Sequence, residues 1–121
     1  MKNRNWLQSF GNAMHGIGRT AARERNFRIQ IFFALAAVAF CVIARVPALH
    51  FILVGFAIFF VLFAELMNTA VEALTDLACG GQLHPLAKIA KDAAAGAVLL
   101  ASLFSLAVGA FVVIETVRRF I

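Results

Sequence analysis

The apolar run from His50 to Ala64 leads without a break into Glu65-Leu-Met-Asn68-Thr69-Ala-Val-Glu72-Ala-Leu-Thr-Asp76, and this join constrains the chain more than any other feature. On a helix turning about 100° per residue, Glu65, Asn68, Thr69, Glu72 and Asp76 fall within an arc of roughly 100°. Leu66, Met67, Ala70, Val71, Leu74 and Leu77 take the other side. One helix therefore carries three carboxylates, an amide and a hydroxyl in a single stripe that begins where an apolar span ends. Carboxylates at membrane depth are costly and normally face a bundle interior beside a functional partner.

The rest of the chain reads as the cage around that stripe. Its 121 residues make one domain. A hydrophobic fraction of 63% and a mean hydropathy of +0.91 demand lipid around the fold. A β-barrel needs short alternating segments, whereas these apolar runs are long and continuous. The expected class is an all-α membrane protein: an amphipathic surface helix within 1–26, then transmembrane helices at 27–45, 49–77 and 86–117. The second has a cytoplasmic extension and the third a cytoplasmic start.

In the first segment Trp6, Phe10, Ala13, Met14, Ile17 and Ala21 share a face, with Gln8, Asn12, His15, Arg19 and Arg23 opposite. That pattern suits a helix lying in the membrane plane. Gly11, Gly16 and Gly18 weaken it and allow a bend or break. If the helix continues, Glu24 turns onto the membrane-facing side. Arg45-Val46-Pro47 makes the first two spans antiparallel neighbours. In the loop Cys79 to Pro85, Gly80 suits the end of one helix and Pro85 the start of the next. Ala97, Ala101, Ser105 and Gly109 form a small-residue ladder that permits close helix approach, within or between subunits.

Charge supplies the topology. Lys2, Arg4, Arg19, Arg23, Arg25, Arg28, Lys88 and Lys91 fall on one side of the spans; Arg45, Arg118 and Arg119 fall on the other. The positive-inside rule puts the N-terminus in the cytoplasm, with anionic lipid headgroups as partners. This distribution argues against nucleic acid as the partner of the +5 net charge. Glu24, Glu65, Glu72, Asp76 and Asp92 then gather at the inner interface. Cys41 and Cys79 lie in no metal or disulfide pattern and read as apolar filler. The first twenty-six residues are too polar for the apolar core of a signal peptide.

Carboxylates with Asn and Thr are hard oxygen ligands suited to Mg²⁺, which keeps waters and favours substrate phosphates. Lys91 offers a point charge for a phosphate. Metal, lysine and a spare carboxylate base are the parts of phosphoryl transfer. No P-loop exists, since Gly11-Asn-Ala-Met-His-Gly16 continues as Ile-Gly. On the residues alone, a metal-dependent enzyme and an ion-coupled transport or scaffold bundle both stand.

The stretch Glu65 to Asp76 resembles the signature E-x-x-N-[ST]-x-x-E-x-x-x-D of the small prokaryotic diacylglycerol kinase and undecaprenol kinase family. Glu24-Arg-Asn26-Phe27-Arg28 and Ala87-Lys88-Ile-Ala-Lys91-Asp92-Ala-Ala-Ala-Gly96-Ala-Val agree with it in order and spacing. The resemblance implies a bacterial inner-membrane homotrimer of three-span subunits that phosphorylates a lipid hydroxyl with MgATP on the cytoplasmic side. It implies Glu65 as general base and Asn68 as orienting group, with Glu24 and Glu72 holding the metal on the nucleotide phosphates. Lys91 is implied to meet the transferring phosphoryl group, Asp92 to support it, and Asp76 to seat the nucleotide. The Glu-Arg-Asn and Lys-Asp-Ala-Ala-Ala-Gly-Ala-Val stretches look more like the undecaprenol kinase branch than the diacylglycerol kinase branch. His15, His50 and His84 read as surface or capping residues, although His84, near Lys88, is also a candidate nucleotide contact.

Overall fold

The computed structural model describes residues 5–121, so Lys2 and Arg4 lie outside the described residues. Four helices follow one another: α1 (Trp6–Arg23), α2 (Arg25–Ala44), α3 (Ala48–Cys79) and α4 (Pro85–Phe120). The last three are long and apolar enough to cross a membrane. At 1.5 Å per residue α3 is about 48 Å long and α4 about 54 Å, beyond a hydrocarbon core of roughly 30 Å. Both therefore project polar turns past the lipid.

Helix α1 starts at a capping box: the Gln8 N–H donates to Asn5 Oδ1 at 2.8 Å and the Asn5 N–H to Gln8 Oε1 at 3.4 Å. It runs unbroken through its three glycines. Its apolar stripe buries nothing against the protein; Trp6 is 90% exposed and Phe10, Met14 and Ile17 are exposed too. That is the arrangement of a helix whose apolar face belongs to lipid.

The helix does not continue through Glu24. That residue is extended (φ −105°, ψ 112°), and α2 begins directly after it. Arg28 fixes the corner: its Nη1 donates to the carbonyls of Ala21 and Ala22, both at 2.9 Å. These are carbonyls of the last turn of α1, which lack helical partners and carry the negative end of the helix dipole.

Between α2 and α3, Arg45 adopts a left-handed conformation (φ 55°). The turn is held by the Arg45 N–H on Cys41 and Val42 carbonyls and by the Val46 N–H on Cys41 at 3.2 Å. Pro47, with no N–H to offer, precedes α3. At the other end Gly80 (φ 58°) and Gly81 (φ 80°) terminate α3, and Pro85 opens α4.

Helix α3 is the centre of the bundle: it packs most extensively on α4, then on α2, and α1 leans on α2 and α3. Cys41, Val46, Val54, Ala57, Val108 and Val112 form the core, with Cys41 a buried apolar filler. Of the small-residue ladder, Ser105 serves the α3–α4 contact, its Oγ donating to the Ala57 carbonyl at 3.2 Å, whereas Ala97 is exposed. Beside this core an apolar groove of about 440 Å³ runs between α2, α3 and α4 from Gln30 to Val112. The chain exposes 9125 Å², against about 6,400 Å² for a compact soluble chain of its mass. Phe32, Phe33, Phe56, Phe59 and Phe63 contribute to that excess.

Because Gly80 holds a positive φ, Gly80→Ala is expected to destabilise the fold by about 1 kcal/mol. A lower melting temperature in detergent micelles is the readout.

Candidate active site

The stripe on α3 emerges from the bundle at the corner made by α1 and α2. Glu65, its first member, is 7% exposed. Its nearest side-chain partner comes from α2: Gln30 Nε2 donates to Glu65 Oε2 at 3.4 Å, a long hydrogen bond. Glu24, at the α1–α2 corner, and Glu72, two turns further along α3, both act electrostatically on Glu65. The break in the helix at residue 24 therefore has a consequence for chemistry, because it brings a carboxylate from outside α3 into the group.

Asn68, one turn beyond Glu65, has its Oδ1 fully buried with no hydrogen-bond partner. A buried acceptor of this kind is open to a donor from outside the chain, water included. Thr69 is otherwise engaged, its hydroxyl folded back onto the Glu65 carbonyl at 3.0 Å. Glu72 and Asp76 are exposed on the turns past the apolar part of α3.

From α4, Lys91 Nζ reaches Asp76 Oδ1 at 2.6 Å, which ties the start of α4 to the end of α3. Asp92 pairs instead with Lys88, at 2.7 Å along the same helix. Consecutive helical residues point about 100° apart, so Lys91 and Asp92 take different partners here. Both lysines lie on polar turns outside the membrane part of α4. Their pKa values are raised, chiefly by the hydrogen bonds to Asp92 (Lys88) and Asp76 (Lys91), so both stay cationic.

These groups line a second cavity of about 440 Å³ under the Gly80–Gly81 loop, among them Asp76, Gln82, His84, Lys88, Lys91 and Asp92. His84 caps α4, its Nδ1 accepting from the Leu86 N–H at 3.1 Å. His15 is exposed on α1, and His50 lies at the far end of α3 against Phe111.

Carboxylates are a donor type suited to a metal that shares its shell with a ligand. Glu24 and Glu72 have no ion-pair partner among the described residues. No group of three or more His, Cys, Asp or Glu side chains capable of holding a metal ion occurs among them either. Two carboxylates completed by phosphate oxygens and water is the shell Mg²⁺ favours. Gln30 is the member that sequence reasoning missed. Its signal was faint, a lone amide inside an apolar run one turn after the Glu-Arg-Asn stretch.

Fold and site together define a multi-pass helical membrane protein with a carboxylate, amide and lysine cluster at one end of its spans. Residues 11–113 match the prokaryotic diacylglycerol kinase family, and the chain belongs to it. It is 41% identical over 105 residues to a diacylglycerol kinase of Synechocystis sp., covering 87% of this chain and 60% of that protein. It is 36% identical over 104 residues to an undecaprenol kinase of Bacillus subtilis, covering 86% and 84% respectively.

The Asp76–Lys91 pair is exposed, and such pairs add little to stability. Asp76→Asn is expected to leave the melting temperature nearly unchanged while weakening nucleotide binding. Thermal melts and titration with an ATP analogue on the same sample separate the two effects.

Proposed function

We propose that this protein is a lipid kinase that transfers the γ-phosphoryl group of ATP to the hydroxyl of a membrane lipid, with undecaprenol as the acceptor. The observation that carries this reading is the position of Glu65. It is a buried carboxylate that Gln30, at the end of the apolar groove, contacts, and it heads the helix face whose last member, Asp76, lines the polar cavity with Lys88 and Lys91. An apolar alcohol and a polar phosphate donor can meet only at such a boundary.

The acceptor hydroxyl approaches along the apolar side and hydrogen-bonds to Glu65. Its oxygen attacks the γ-phosphorus, the bond to the ADP oxygen breaks, and the hydroxyl proton passes to the Glu65 carboxylate. Asn68, with its unpartnered Oδ1, orients the reacting groups. Lys91 turns from Asp76 toward the transferring phosphoryl group as a point charge, and Asp76 and Asp92 line the nucleotide cavity. Glu24 and Glu72 would hold Mg²⁺, which when bound supplies neutralising charge to the nucleotide phosphates.

The Glu-Arg-Asn and Lys-Asp-Ala-Ala-Ala-Gly-Ala-Val stretches favour undecaprenol, as does similarity along most of the length of the Bacillus undecaprenol kinase. Diacylglycerol is the second reading, favoured by the higher identity to the Synechocystis protein. The active form we infer is a homotrimer, in which neighbouring subunits cover part of the exposed apolar surface. The site end carries Arg19, Arg23, Arg25, Arg28, Lys88 and Lys91, which supports a cytoplasmic orientation against anionic headgroups.

Purified protein with labelled ATP, Mg²⁺ and either undecaprenol or diacylglycerol should label undecaprenol preferentially. A transport or scaffold bundle would label neither. Glu65→Gln is expected to lower kcat by at least 100-fold, within the range for a lost general base, while MgATP binding persists. Near-normal turnover in that variant would remove Glu65 from the role.

The metal assignment has its own readout. Glu24→Gln and Glu72→Gln should each raise the Mg²⁺ concentration needed for half-maximal activity. An unchanged titration in both would exclude them as ligands.

A further inference from the structure

Gln30 combines three features that the proposed reaction leaves unused. Its Nε2 donates to Glu65 Oε2 at 3.4 Å. Its Oε1 is fully buried and has no hydrogen-bond partner. The side chain also stands at one end of the apolar groove between α2, α3 and α4. Only the N–H side of an amide can face an ionised carboxylate, so contact with Glu65 turns the carbonyl oxygen away from it. A buried acceptor without a donor is costly and rare in a native fold.

The groove limits what that donor can be. Its walls are Phe, Ala, Val, Ile and Leu apart from Gln30, Cys41, Ser102, Ser105 and Gly109; the Ser105 hydroxyl is committed to the Ala57 carbonyl, and Ser102 makes no hydrogen bond to Gln30. Glu24 at the α1–α2 corner and Glu72 on α3 are the charged groups acting on Glu65, and neither can donate to Gln30 when ionised. An apolar channel that ends at one free acceptor beside a carboxylate is complementary to an apolar chain that ends in one hydroxyl.

We propose that Gln30 receives the lipid hydroxyl and positions Glu65 to deprotonate it. The proposal rests on the lipid-kinase reading and adds a substrate contact from α2. On arrival the hydroxyl donates to Gln30 Oε1. The amide N–H holds Glu65 Oε2, which leaves the other carboxylate oxygen free. The bound hydroxyl then turns about its C–O bond to donate to that free Glu65 oxygen, which takes the proton as the hydroxyl oxygen attacks phosphorus. Nothing else is consumed, and the amide is unchanged at the end of the cycle.

Two variants test this in the intact protein in micelles. Gln30→Met keeps the length and removes both contacts. It should raise the lipid KM about tenfold and lower kcat, with the ATP KM within about twofold of wild type. Gln30→Glu keeps the shape and an acceptor but loses the N–H to Glu65, so kcat should fall more than the lipid KM rises. Wild-type lipid KM and kcat in both folded variants would overturn the proposal. So would parallel changes in lipid and ATP KM with a lowered melting temperature, the mark of a purely structural residue. If the wild-type protein phosphorylates no lipid alcohol, the kinase reading fails and binding decides this inference. Wild type should then hold undecaprenol more tightly than its methyl ether, which lacks the donated hydrogen, and Gln30→Met should lose that preference. Equal binding of the two by wild type would overturn it.

Discussion

A carboxylate at the edge of a bilayer has few ways to be stabilised, because lipid offers no hydrogen bonds and solvent is only partly within reach. Glu65, buried at the end of the apolar part of α3, meets that constraint if α3 spans the bilayer as its length and composition allow. A long central helix carries Glu65 to the boundary, an amide from α2 contacts it, and the corner between α1 and α2 brings a second carboxylate close. Glu24 and Glu72 each act on Glu65, and like charges repel, so a cation bound among them would relieve that repulsion.

Two ways of using charge coexist at this end of the molecule. Arg28 has a structural role, its guanidinium spent on the last carbonyls of α1. The lysines of α4 are held more loosely: Lys88 and Lys91 sit in exposed pairs that solvent screens. A pair that contributes little to stability can be exchanged for a phosphate at small cost. On the proposed reaction, the Asp76–Lys91 contact would be the resting arrangement that a phosphate displaces.

Most of this was legible in the sequence because membrane folds obey few rules. Continuous apolar runs fixed the spans to within a few residues, Gly80 and Pro85 marked the loop, and the 3.6-residue period placed Glu65, Asn68, Glu72 and Asp76 on one face. Glu24 was harder. Periodicity alone would have carried α1 through it, and the break depends on Arg28 folding back onto carbonyls six and seven residues earlier. The pairing of Asp92 with Lys88 was not legible either, since it depends on side-chain direction. Gln30 could not be read as part of the site, because only tertiary contact relates a lone amide on α2 to a carboxylate thirty-five positions away.

Helix α3 also acts as a ruler. From Ala48 to Glu65 it is unbroken, about 26 Å of rise at 1.5 Å per residue, set against a hydrocarbon layer of roughly 30 Å. With α3 spanning the bilayer, Glu65 would be held a fixed distance from the opposite leaflet, and on the proposed reaction close to the level at which an uncharged alcohol floats in the near one. On the proposed reaction, phosphorylation alters the buoyancy of the substrate. The new dianion cannot remain at the depth where its precursor rested, and it rises toward the headgroups and away from Glu65. Vertical position in the membrane would then tell substrate from product, and the same difference would help to clear the site after each turnover.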